Sequence, residues 1–379
     1  KLELQAAGGG GASDLNGLSD VSIDLTNDNA FFINIPSGIS GAVGNIGLGE
    51  EALNSLTSGD YNTAIGKQAL NNSTTSERST AIGYNAGASA GTNLQLNTVL
   101  IGDNAGFGRS GYRTVAVGSG AMSFGLGKSA VNRNTAIGYH ALYRIDTNGA
   151  DNIAIGHEAS QFLTTATKNI AIGDNAARSS TANGHISIGY QAGYSQTSGA
   201  TNTNIGFFAG YNTTTGGDNT YVGYQTAYSA TGSRNTAMGD GAFGGGFGHS
   251  GSDNASFGYL ALQSPSGASN YNVAMGSEAL REIGTKSNNV GIGYKAGTAL
   301  ATGEGNTFVG YQAGLNANPS GGSSGQNTCI GNTSGGAITT GIYNTFLGSK
   351  SGNAGGGSSA TITTGNFNTM LGYEARGNS

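Results

Sequence analysis

A glycine that closes a short apolar run returns about every 18 residues along most of this 379-residue chain. A fixed period of that length decides an architecture before any single residue does. The motif is plainest as Asn62-Thr63-Ala64-Ile65-Gly66 and again as Asn134-Thr135-Ala136-Ile137-Gly138, and 19 copies run from Gly49 to Gly372. A unit this short has no room for a strand plus a helix, and the connecting segments carry no apolar spacing at i, i+3, i+4. Each repeat therefore reads as one coil of an all-β, parallel β-solenoid: a strand, a glycine corner, a second short extended piece and a polar return turn such as Asn212-Thr213-Thr214-Thr215-Gly216-Gly217-Asp218.

Aligned on the glycine, the copies become columns. The residue one before it is a large aliphatic, Met or Phe in all 19 copies, and the residue three before it is Thr, Val or Ile in 18, with Ala255 the exception. That period of two predicts a strand whose flanking residues face a core. Four before the glycine stands Asn in 15 copies, replaced by Ser79, Thr98, Thr114 and His185, so a ladder of stacked amides is expected. Three after it stands Ala in 16 copies, a column with no space for a larger side chain.

The middle residue of the strand, two before the glycine, then points the other way. It is Ala64, Ala81, Ala116, Ala136, Ala154 and Ala171 in early copies and Tyr221, Phe308, Cys329, Phe346 and Met370 later. An apolar column on the outside of a thin coil calls for another chain to cover it, and the expectation is a homotrimeric rod. At about 4.7–4.8 Å per rung, 19 coils would extend on the order of 90 Å.

Composition removes several classes of function. Gly accounts for 70 residues, without the every-third spacing of collagen, and only 10% of residues are charged. A net charge of −5 with no basic stripe argues against nucleic acid as a partner. No apolar run approaches a membrane span and Lys1-Leu2-Glu3-Leu4 lacks a signal pattern, so membrane insertion is not expected. The single Cys329 allows no intrachain disulfide.

Catalytic look-alikes are expected by chance in so much Gly and Ser. Gly87-Ala88-Ser89-Ala90-Gly91 and Gly321-Gly322-Ser323-Ser324-Gly325 mimic a hydrolase elbow, and Gly125-Leu126-Gly127-Lys128-Ser129 ends like a phosphate loop, yet none has the helix those motifs require. Asp151, Glu158, Asp174, Asp240, Glu278 and Glu282 occupy differing places in their repeats and read as solvated surface rather than a glycosidase pair. His140, His157, His185 and His249 are too dispersed for a metal site. The expectation is no catalytic residue, no metal and no cofactor. The candidate recognition column lies just after the motif glycine: Tyr84, Tyr139, Tyr190, Tyr224, Tyr259, Tyr294, Tyr311 and Tyr373, with Phe207 alike. These rings either stack coil upon coil or offer a ladder to sugar faces.

The pattern Asn, β-branched residue, Ala-Ile-Gly-x-x-Ala resembles the head repeat of YadA-type trimeric autotransporter adhesins, whose heads are trimers of left-handed β-rolls. The longer unit, with Asp14-Leu15-Asn16-Gly17-Leu18-Ser19-Asp20-Val21 and Asn27-Asp28-Asn29-Ala30-Phe31-Phe32, looks more like phage tail fibres. That resemblance implies a receptor-binding fibre of a virion, a homotrimer joined at one end to other tail proteins and contacting a host cell-surface glycan. The alternatives are a cell-surface trimeric adhesin in an extracellular setting and, third, an ice- or crystal-binding solenoid. Residues 1–44 are expected to be a linker, docking and capping segment and 45–379 the repeat rod. Because the last repeat is in full register and no cap follows, Ser379 is expected to be a processed end, with a C-terminal chaperone domain encoded beyond it.

Overall fold

The computed structural model describes residues 22–23, 31–32, 44–88, 95–123, 128–146, 149–244, 249–263, 267–319, 325–353 and 362–376. Most of the expected N-terminal segment, the central parts of the three catalytic look-alikes and the last three residues lie outside the described residues. The fold is all-β, and no helix occurs among the described residues. Two compact units divide the chain, Lys1–Asp151 and Asn152–Ser379.

Both units are parallel β-solenoids of three-residue strands. The first holds six, from Ile46–Leu48 to Thr135–Ile137, and the second thirteen, from Ile153–Ile155 to Thr369–Leu371, so every motif glycine has its strand. Within each unit successive strands pair in parallel without slipping: Thr63, Ala64 and Ile65 face Thr80, Ala81 and Ile82, and Thr328, Cys329 and Ile330 face Thr345, Phe346 and Leu347. The second extended piece of the coil becomes a sheet in the first unit, where Gln95–Leu96, Arg109–Tyr112 and Lys128–Asn132 pair in parallel. Near the N-terminus Ser22–Ile23 pairs antiparallel with Phe31–Phe32.

The motif glycine is required twice over. Its φ lies between +123° and +137° in all 19 coils, a region essentially closed to L-residues. A Cβ at Gly49 would also sit 2.7 Å from the carbonyl carbon of Gly66 in the next coil. Beyond the glycine the backbone alternates in and out of the left-handed region, with Gln68 at φ +61° and Leu70 at +51°. This alternation sends hydrogen bonds both ways along the stack: the Gln68 N–H donates to Glu50 O at 2.7 Å and the Leu70 N–H to Ala86 O at 2.9 Å. The corner therefore contributes to inter-coil bonding as the strand does.

The expected assignment of strand faces is reversed. The middle residue is the buried one: Ala64, Ala136, Tyr221, Phe308, Cys329 and Phe346 are all 0% exposed. The flanking aliphatics lie outside, with Ile65 at 37%, Met275 at 43% and Leu347 at 45%. Period-two patterning shows that two sets of residues face opposite ways, not which set is inside, and here both sets are apolar. The narrow coil decides. A three-residue strand turns one side chain inward, and that side chain shares the interior with residues from the corner and the return turn, so its size is set by theirs.

Those interior neighbours stand three, four and seven residues after the glycine. The Ala column at three is fully buried, as at Ala52, Ala69, Ala192 and Ala296. Position four compensates the strand. Where the middle residue is Ala64, Ala136, Ala237 or Ala274, position four is Leu70, Leu142, Phe243 or Leu280; where it is Leu100, Phe308 or Phe346, position four is Gly106, Gly314 or Gly352. A Cβ on Gly352 would lie 2.7 Å from the Phe346 ring. Position seven supplies Leu56, Ile145, Leu163, Ile283, Leu300 and Ile338. In these coils a large residue stands either in the strand or at the corner, and where both are small, as at Gly291 and Gly297, Leu280 and Phe308 of the adjacent coils reach in.

The amide ladder forms as expected. From Asn254 through Asn272, Asn289, Asn306, Asn327 and Asn344 to Asn368, each backbone N–H donates to the Oδ1 of the preceding ladder Asn at 2.9–3.0 Å. The Nδ2 groups donate to that same Oδ1 and to return-turn carbonyls, as Asn254 does to Ser269 O at 2.8 Å. Each buried amide is thereby satisfied while it ties two coils together.

Candidate functional site

The tyrosine column after the glycine is a surface column throughout. Tyr84, Tyr139, Tyr190, Tyr224, Tyr259, Tyr294, Tyr311 and Tyr373 are 38–70% exposed, and Phe207 is 44% exposed. Where two successive coils both carry an aromatic, the rings stack on each other: Tyr190 on Phe207 with centroids 4.9 Å apart, Phe207 on Tyr224 at 5.6 Å, and Tyr294 on Tyr311 at 5.4 Å. Strand spacing places rings at stacking distance without further adjustment. Tyr139 stacks on His140, which in turn lies against Tyr143. No other aromatic ring stacks on Tyr84 or Tyr259 among the described residues. The neighbours of Tyr259 along the column are Asp240 and Ser277, so the faces of its ring are not covered by another ring.

A second aromatic column, five residues after the glycine, is absent from the sequence reading. Tyr194, Tyr211 and Tyr228 stack at 5.1 and 5.0 Å. Phe208 stands edge-on between the two columns and meets Tyr190, Phe207, Tyr211 and Tyr228. Arg178 extends the second column: its guanidinium lies over Phe162 and Tyr194, donates to the Tyr194 hydroxyl at 2.8 Å and pairs with Glu158 at 2.9 Å. The signal was present in the sequence as Tyr at a constant offset in three consecutive repeats. Coils 189–228 therefore carry a dense aromatic surface, six rings in two columns with Phe208 between them. Because the rings within each column face one another, the surface they offer outward is made of ring edges and hydroxyls.

The scattered carboxylates are mostly tied to cations. Arg133 holds Asp151 through two contacts at 2.6 and 2.9 Å, His157 meets Asp174 at 3.3 Å, and Glu278 pairs with Arg281 at 3.1 Å and Lys295 at 3.7 Å. Such exposed pairs contribute about 0–1 kcal/mol each. Among the described residues no three His, Cys, Asp or Glu side chains come together as a metal site, and no helix is long and apolar enough to cross a membrane. Two histidines are buried. His185 occupies an Asn-ladder position, and its Nδ1 accepts the Asn202 N–H at 3.3 Å. His249 packs against Phe243 with ring centroids 4.1 Å apart. Burial lowers both to about 4. Burial alone pushes the Cys329 thiol up to about 12, leaving it a neutral filler of the core.

The second surface feature of each unit is the aliphatic stripe made by the flanking strand residues. In the second unit Ile205, Met238, Met275, Ile292, Ile330 and Leu347 are each more than a third exposed. Comparison with family models, curated proteins and solved structures finds no match.

Proposed function

We propose that this chain is a structural and recognition fibre without covalent chemistry, assembled as a parallel, in-register homotrimer, of the phage-virion kind its repeat resembles. The observation that carries this reading is the aliphatic stripe. A large apolar residue stands one before every motif glycine, on the outside of the coil, where a monomer gains nothing from it. Within each unit these residues recur once per rung, so an identical neighbour in register would meet Ile with Ile at every step. The interior alanines lend no support to assembly, since they are already covered.

In this reading the tyrosine column faces away from the neighbouring chains and meets a bacterial surface polysaccharide, with one end of the fibre joined to other tail proteins. Sedimentation equilibrium of the full chain is expected to give about three times 37.6 kDa. The double substitution Ile205→Glu with Ile292→Glu is expected to yield a monomer with an unchanged far-ultraviolet spectrum, because both side chains point outward. A folded monomer of the unaltered chain would overturn the assembly, and a glycan array with no binding would overturn the recognition.

A further inference from the structure

The interior of the second unit changes character between residues 171 and 213. At the strand-middle, four-after and seven-after positions, one coil presents Ala171, Ala177 and Ser180, and the next presents Ser187, Gly193 and Gln196. The pairing of a small strand residue with large corner and turn residues is missing here. Ala274 is complemented by Leu280 and Ile283, and Ala136 by Leu142 and Ile145, but Ala171 and Ser187 have only small or polar partners. These two coils, and the following one with Asn204, Gly210 and Thr213, have no large apolar side chain at the three positions.

The same coils bury polar atoms that find no partner in the protein. Ser180 Oγ, Ser187 Oγ, both amide atoms of Gln196, both amide atoms of Asn204, and Thr213 Oγ1 are without a hydrogen bond, although all five residues are 0% exposed. Each group left bare forfeits the hydrogen bonds it makes to water in the unfolded chain, a loss no marginally stable coil could carry seven times. Three of them converge on one point: the space a Cβ on Gly193 would occupy lies 2.5 Å from Ser187 Oγ, 3.0 Å from Asn204 Nδ2 and 3.0 Å from Gln196 Oε1. These three polar atoms crowd the place a Cβ would take, so only glycine at 193 lets them come together there.

We propose that these coils enclose a file of ordered water molecules running from the level of Ser180 to that of Thr213. The chemistry selects water over an ion. The lining offers donors and acceptors together, and no Asp, Glu, Lys or Arg is among the buried residues, so a bare charge would be uncompensated while a molecule that both donates and accepts is matched. Buried solvent needs polar partners and room: the seven unpaired atoms supply the first, and the short interior side chains Ala171, Ala177 and Ser180 leave the second. The file is flanked by Leu163 in the coil before and by the buried Tyr221 ring in the coil after.

A high-resolution crystal structure of the full chain decides the matter. Discrete solvent peaks are expected about 2.7–3.2 Å from Ser187 Oγ, Gln196 and the Asn204 amide. Direct pairing of the Gln196 and Asn204 amides with no density between them, an empty space, or a peak with the ligand number and distances of a cation would each overturn the proposal. Oxygen-17 relaxation dispersion in solution gives a second readout. The full chain should contain long-lived waters, and the variant Ser180→Ala with Gln196→Leu should lose several of them while keeping its far-ultraviolet spectrum. An unchanged long-lived water count in that variant would also overturn it. If the variant fails to fold, the density of the unaltered chain still decides.

Discussion

Two stretches of the second unit share one backbone and stabilise it in opposite ways. Coils 258–348 are filled from within: Leu262, Leu280, Leu300, Phe308, Ile338 and Phe346 are all fully buried, and the amide ladder above them is unbroken. Coils 173–206 have an interior of Ala, Ser, Gly, Gln, Asn and Thr, a histidine in the ladder, and two columns of aromatic rings outside. The difference separates what the repeat must keep from what it can trade. The glycine corner, the parallel register and the small residue three after the glycine are common to both. The hydrophobic contribution, by contrast, is moved from the inside of the coil to its outer wall. A solenoid tolerates this because each coil is stabilised mainly by its two neighbours rather than by one shared core.

The largest expected effect tests what is common. Gly206→Ala and Gly310→Ala place a Cβ 2.7 Å from the carbonyl carbon of the next coil's glycine, at φ +135° and +137°. Both should cost about 4 kcal/mol or more, since backbone strain and a clash with backbone add. Thermal melts of the two variants should coincide; a marked difference would mean that the corner is not equivalent in the two stretches. The next effect separates them. Phe308→Ala should cost about 3–5 kcal/mol by leaving a cavity, whereas Asn204→Ala, at the same column of a polar coil, should cost under about 1 kcal/mol. Equal losses in denaturant titrations would refute the contrast.

Most of the scaffold was legible in the sequence: the period, the glycine corner, the Asn ladder and the alanine column each follow from one residue type at a fixed offset. The strand's inner face was not. Thr63 and Ile65 look more like core than Ala64 does, and only the width of a three-residue strand reverses that preference. Compensation between strand and corner escaped for a related reason. Phe308 with Gly314, and Ala274 with Leu280, are informative as pairs and unremarkable singly. The tyrosine column was legible because its offset from the glycine is constant. The second column, Tyr194, Tyr211 and Tyr228, had the same signal in only three consecutive repeats, with Tyr143 and Phe107 standing apart. Phe208 could not be placed in advance, because its φ of +56° aims the ring across the two columns rather than along either.

Acid should act on the polar stretch before the filled one. His185 is held neutral, with burial lowering it to about 4 from 6.5, so the unfolded chain takes up a proton first. Stability from this residue is therefore present above pH 6.5 and is lost as pH falls from about 6.5 to about 4, up to about 3 kcal/mol if the full difference applies. His249, lowered likewise, adds a loss over the same range. His185→Asn restores the ladder residue found in neighbouring coils and should flatten its share of the dependence. Melting temperatures at pH 7 and pH 5 give the check: the gap between them should narrow in His185→Asn, and an unchanged gap would place the acid sensitivity elsewhere.

The smallest effect concerns the outer wall. If aromatic packing outside offsets the polar interior of coils 189–228, removing the ring that joins the two columns should be felt there and nowhere else. Phe208 is that ring, in contact with four others, and each aromatic pair contributes roughly 0.5–1.5 kcal/mol beyond burial. Its backbone is already left-handed, and Ala carries the same strain as Phe at that φ, so the substitution isolates the side chain. Phe208→Ala is expected to cost about 1–2 kcal/mol. The matching residue of a filled coil, Gln312→Ala at φ +52°, should change stability by less than about 0.5 kcal/mol. Hydrogen exchange at the Ala209 and Thr226 amides, compared with Ala313 and Ser334, would localise the loss. Protection falling only in the aromatic stretch would show that its coils depend on their outer wall, and equal protection in both variants would show that the rings are carried by the coil without supporting it.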